Sequence, residues 1–141
     1  MSQMNDKPAI IVGFDFGMKY IGVACGQTIT NTASPITCLR AKDGIPKWQE
    51  IDNIINSWQP QQIIVGIPLN MDGSMQHITL CAKKFANRLA ARFNHKYSIQ
   101  LVDERLSTWE AKQRNICKTN IAQLNAQAAT ILVEQWLHDE N

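Results

Sequence analysis

"IIVGFDFGMKYIGVA", residues 10–24, is an apolar run rich in β-branched residues with a carboxylate, Asp15, at its centre. Runs of this composition read as strands, and the short "GMK" segment around Gly17 divides the stretch into two, residues 9–16 and 20–26, joined as a hairpin. An aspartate buried in such a strand without a partner costs several kcal/mol or loses its charge. Strands of this kind do not keep one for stability, so Asp15 calls for a compensating group.

Working outward, "SPITCL" at 34–39 predicts a third short strand. "PKWQEIDNIINSWQ" then places Trp48, Ile51, Ile54, Ile55 and Trp58 on one helical face, with Pro46 near the start and Pro60 closing it. "QQIIVGI" at 61–67 is a fully apolar strand, and the Pro and Gly of "PLNMDGS" end it. A helix over about 75–93 buries Cys81, Phe85 and Leu89, and "YSIQLVDE" at 97–104 is the last strand. Ser107 and Glu110 form a capping box for a helix beginning "TWEAKQR". The C-terminal helix has Asn120 as its cap and Ile121, Leu124, Ala128, Ile131 and Leu132 facing inward. The order βββαβαβαα implies an α/β fold with a mixed sheet, antiparallel at first and then parallel through helical crossovers.

A chain of 141 residues, 45% hydrophobic and 18% charged, suits one domain, here residues 9–138 behind a polar tail at 1–8. The net charge of +2 is too mild to announce a nucleic-acid coat and does not oppose a local basic face. Cys25, Cys38, Cys81 and Cys117 lie far apart, with no zinc-type spacing among them or the three histidines, and read as free thiols in a reducing compartment. With no apolar run of about 18 residues and no apolar signal core, the expectation is a cytoplasmic protein without membrane contact.

Asp15 ends the first strand, and Asp103 and Glu104 end the last. Strand ends at the carboxyl edge of an open α/β sheet are where ligands bind. Two carboxylates about 4 Å apart repel by roughly 4 kcal/mol at an effective dielectric near 20, a penalty that a divalent cation removes. Oxygen donors favour Mg2+ or Mn2+, and ions of this kind drive phosphodiester hydrolysis by activating water. The alternative is structural: Asp15 caps a turn, while Asp103 and Glu104 pair with Arg105. Alternation puts Asp103 and Glu104 on opposite faces, so one of them points elsewhere.

Lys84, Arg88 and Arg92 repeat every four residues, with His95 and Lys96 beyond, as either a phosphate-facing stripe or a solvated helix face. Lys19 lies in the hairpin segment, Arg105 beside the acids, and Asn70, Asp72 and Gly73 in a strand-end loop; each is a candidate nucleic-acid contact. Trp48, Trp58 and Trp136 fall on apolar helical faces and read as core. Trp109, after the acidic strand end, is placed either to stack on a base or to pack.

Taken together, "GFDFGMKYIGVA", "IIVGIPLNMDG" and "VDERLST" resemble, in order, three motifs of the YqgF-like family, the pre-16S rRNA nucleases related to Holliday-junction resolvases of the ribonuclease H superfamily. The resemblance spans about residues 9–137. It implies a ribonuclease H-like five-stranded mixed sheet flanked by helices, a metal-dependent nuclease site, and maturation of the 5′ end of small-subunit rRNA. It carries Asp15 over as the first catalytic acid and metal ligand, and Glu104, favoured over Asp103, as the second. At the position of the family's third acid stands Asn125. Partners implied are precursor rRNA or branched DNA, and the ribosome. The alternative from another class is a catalytically weak nucleic-acid-binding or ribosome-assembly factor, which Asn125 favours.

Overall fold

The hairpin around Asp15 forms the centre of the molecule. In a computed structural model that describes residues 9–67, 77–103 and 121–140, β1 (Ile10–Asp15) pairs antiparallel with β2 (Tyr20–Gln27) and parallel with β5 (Gln62–Ile67). The turn between β1 and β2 requires Gly17, because a Cβ there would overlap the carbonyl oxygen of Tyr20. Outward from β2 come β3 (Thr32–Lys42) and β4 (Ile45–Pro46), and outward from β5 comes β6 (Ser98–Asp103). The sheet order is β4-β3-β2-β1-β5-β6, with the β5–β6 pair also parallel. Helices α1 (Trp48–Trp58), α2 (His77–Arg92) and α3 (Ile121–Glu140) complete the described elements.

The sheet has six strands where the sequence led to five. β3 continues past Leu39 to Lys42 and turns through Asp43 (φ 52°) and Gly44 (φ 80°) into the two-residue β4. Two positive φ angles at an Asp-Gly pair are the signature of a tight hairpin turn, so "KDGI" carried the signal for the sixth strand. The Gly44 amide donates to the Met18 carbonyl at 2.9 Å, fastening this hairpin to the β1–β2 turn.

Strand alternation divides the core. Val12, Phe14, Ile21, Val23, Leu39, Ile63 and Val65 pack against Ile51 and Ile55 of α1 and Phe85 and Leu89 of α2. On the other face Ile11, Ala24 and Ile64 pack against Ala129, Leu132, Val133 and Leu137 of α3. Each large aliphatic or aromatic side chain buried this way contributes about 1.5–3 kcal/mol. Phe85 joins three elements, with ring centroids 5.6 Å from Phe14, 5.5 Å from Phe16 and 5.6 Å from Trp48, the last stacked.

Two expectations change here. Trp58, read as core, is 39% exposed at the last turn of α1. Arg92 leaves the basic stripe to clamp α1 to α2: its Nε and Nη2 each donate to Asp52 at 2.7 Å, and its guanidinium lies 5.6 Å from the Trp48 ring centroid. The Arg92 hydrogen bond holds the Asp52 carboxyl below the usual carboxylate range. Among the described residues no helix is long and apolar enough to cross a membrane.

Candidate functional site

Pairing register sets Asp15 in a row of residues that crosses five strands. Cys38 on β3 pairs with Gly22 on β2, Gly22 with Asp15, Asp15 with Gly66 on β5, and Gly66 with Val102 on β6. Paired residues present side chains to the same face. Because Val102 packs with the α3 cluster and Ile11 lies in it, that face is the one α3 covers. Asp15 therefore sits between two glycines, and no side chain from an adjacent strand covers its carboxylate in the row. Even so it is only 5% exposed.

What covers this region is the start of α3. A Cβ on Gly22 would overlap the backbone carbonyl of Asn125, so helix and strand touch where Gly22 leaves room. Further along, a Cβ on Gly26 would meet Val133 and Leu137, so α3 runs along β2 with its N-terminal end at the edge where β1 ends. That end of a helix carries partial positive charge, and the first turn of α3 holds no acidic residue. Gly22→Ala is expected to lower the melting temperature by roughly 2–12 °C, since overpacking costs about 1–3 kcal/mol and each kcal/mol shifts a domain of this size by ~2–4 °C. An unchanged melting temperature would show that α3 is not seated on Gly22.

The field of Asp15 is felt across the row. The Cys38 thiol is pushed up, first by burial and then by the Asp15 charge. Asp15→Asn removes the second cause, so Cys38 should alkylate faster at pH 8. Cys25, whose thiol is raised by burial without an Asp15 contribution, should keep its rate. Peptide mass spectrometry reads both, and equal Cys38 rates in the two proteins would mean that Asp15 carries no charge in the metal-free site.

The sequence-derived candidates separate in space. Asp15 and Asn125 come together beside Gly22, and Asn125 is half-buried. Asp103 does not join them. It pairs with Ile67 at the end of β6 and alternates with Val102, which puts it on the α1/α2 face with Ile99. Lys84 and Arg88 also lie on that side of the sheet, where with Trp48, Cys81 and Phe85 they line a hollow of about 150 Å³, away from Asp15. Lys19 stays at the Asp15 end, exposed in the β1–β2 turn. Glu104, Arg105, Asn70, Asp72, Gly73, Ser107, Trp109, Cys117 and Asn120 lie outside the described residues, as does the expected helix starting at "TWEAKQR". Among the described residues no three His, Cys, Asp or Glu side chains cluster closely enough to hold a metal ion. Asp15 itself fits a hard cation: it is a buried oxygen donor with glycine on both sides in the row.

A family model described as "RuvX: Holliday junction resolvase" matches residues 9–139. The chain belongs to the RuvX family. Among its relatives, a Shewanella denitrificans protein is 47% identical over 92% of this chain and 94% of its own, and a Proteus mirabilis protein is 49% identical over 89% and 93%. Both are provisionally named pre-16S rRNA nuclease. Among solved structures, Thermus thermophilus RuvC in complex with Holliday junction substrate superposes with a TM-score of 0.57 at 10% identity, over 93% of this RuvX chain and 95% of that one. The fold is thus ribonuclease H-like, with the short β4 as the sixth strand.

Proposed function

We propose that this RuvX chain uses Asp15, together with Glu104 and Asn125, to hold Mg2+ or Mn2+ and hydrolyses phosphodiester bonds at the 5′ end of precursor 16S rRNA. By family it is a hydrolase of phosphodiester bonds. The observation that carries the site is Asp15, buried at the end of the central strand between Gly22 and Gly66 with the N-terminal end of α3 beside it. Asp103, at the end of β6, lies on the face opposite Asp15, and Glu104 is taken as the second acid from the family resemblance. A bound divalent ion would lower the pKa of a coordinated water and stabilise the leaving oxygen. The chain's own part is to bring oxygen donors to one strand-end and to hold the scissile phosphate against the positive end of α3.

The family model's description points to branched DNA and the names of the relatives at 47–49% identity to rRNA; RNA is taken first because those relatives are similar over nearly the whole chain, whereas the likeness to the junction-bound resolvase is one of fold. The second reading, a ribosome-assembly or nucleic-acid-binding factor with little catalysis, is favoured by the neutral side chain of Asn125, whose backbone rests on Gly22. The test is cleavage of precursor 16S rRNA and of a four-way DNA junction, with Mg2+ or Mn2+ and with EDTA. Metal-stimulated trimming of the RNA supports the reading. Preferential resolution of the junction replaces the substrate, and binding without cleavage in either metal moves the protein to the second reading.

A further inference from the structure

On the α3 face, one step along β2 from the Gly22–Cys38 pair, Tyr20 pairs directly with Arg40 of β3. The two residues share the Asp15 face, since Ile21 and Leu39 between the pairs point into the opposite core. Lys19 precedes them in the turn, and its carbonyl accepts a hydrogen bond from the Ala41 amide at 2.8 Å, which ties the turn to β3. Lys19, Tyr20, Arg40 and Ala41 line an open hollow of about 230 Å³. Among the described residues no acidic side chain lines it, and neither Lys19 nor Arg40, both exposed, forms an ion pair. Two strand residues span about 7 Å, so this notch begins roughly that distance from the Asp15 row, at the same end of α3.

We propose that Lys19, Tyr20 and Arg40 form a docking notch for the nucleic-acid strand that enters the Asp15 site, the two cations taking phosphates and the Tyr20 ring supporting the adjoining sugar or base. The inference rests on the nuclease reading and adds to it where the substrate backbone runs. Asp15 by itself repels a polyanion, and a strand approaching it needs cations placed to the side of the carboxylate. Lys19 and Arg40 meet that requirement. Arg40 offers a planar fork that can bind a phosphate bidentately, and Lys19 a point charge. Tyr20 is half-buried, so its side chain is partly held by its neighbours and partly accessible. Lys84 and Arg88, on the opposite face, are excluded from this path.

The test is fluorescence anisotropy of a labelled single-stranded RNA spanning the 5′ processing site, in EDTA so that nothing is cleaved, over a series of salt concentrations. Arg40→Ala and Lys19→Ala should each weaken binding roughly tenfold and lower the slope of log affinity against log salt by about 0.7 to 1, one phosphate contact each. Arg40→Lys should keep the slope, Tyr20→Phe should bind like wild type, and Tyr20→Ala should lose affinity with the slope unchanged. The double variant Lys84→Ala, Arg88→Ala should bind normally. If the wild type binds and cleaves while the Arg40 and Lys19 variants keep their affinity and slope, the notch is overturned and the nuclease reading stands. If the wild type neither binds nor cleaves RNA or junction DNA, both fall.

Discussion

Asp15→Asn should lower metal-stimulated cleavage by at least about a hundredfold while leaving the metal-free protein as stable as the wild type, within about 2 °C of melting temperature. Loss of one group that stabilises charge in a transition state typically costs about 10²–10³ in rate, and a metal ligand is such a group. The substitution is isosteric and makes no cavity. Asp103→Asn is the matched control: at the end of β6 and on the opposite face, it should change cleavage by less than about twofold. A melting temperature several degrees lower in Asp15→Asn, with cleavage intact, would make Asp15 a structural residue. Equal losses in the two variants would overturn the assignment of faces.

Asn125→Asp should tighten Mg2+ or Mn2+ binding at least tenfold and raise cleavage. The backbone of Asn125 lies on Gly22, the partner of Asp15, so a charge at this position acts at close range. An added carboxylate at ~4 Å from a cation gains about 4 kcal/mol per unit charge at an effective dielectric near 20, of which desolvation removes a large part. A tenfold change needs about 1.4 kcal/mol, well within what remains. If Asn125 is a ligand, the same substitution should lower the stability of the metal-free protein, because a second carboxylate is then added near Asp15 without a cation. That pairing of effects, looser without metal and tighter with it, distinguishes a ligand from a residue that only bonds the helix. Isothermal titration and melting curves of both proteins check it. Equal affinity and no gain in cleavage would remove Asn125 from the site and raise the binding-factor reading above the nuclease one.

The local sequence determined the elements and the direction in which each faces. Alternation in "IIVGFD" is enough to set Val12 and Phe14 against Ile11 and Asp15, and helical spacing in α1 and α3 is enough to set their buried stripes, because both periods follow from backbone geometry. Asp15 as the residue out of place was legible for the same reason: a charge in a β-branched run has no local explanation. The sixth strand was legible too, in the Asp-Gly pair at 43 and 44, and was missed because a two-residue strand has no period to read.

Register and crossing were decided by the tertiary structure alone. Nothing near Gly22 in the chain announces that Asn125 will rest on it, and nothing near Arg40 announces that it shares a face with Asp15 two strands away. Those relations depend on which strands pair and by how much they are shifted, and a shift of one residue would send Cys38 and Arg40 to the other face. The basic stripe of α2 shows the converse. Its spacing promised one surface, yet Arg92 is drawn to Asp52 and Trp48 of a neighbouring helix, while Lys84 and Arg88 end on the side of the sheet away from Asp15. Periodicity determines which residues share a helix face; what that face meets depends on long-range packing, which a local pattern does not contain.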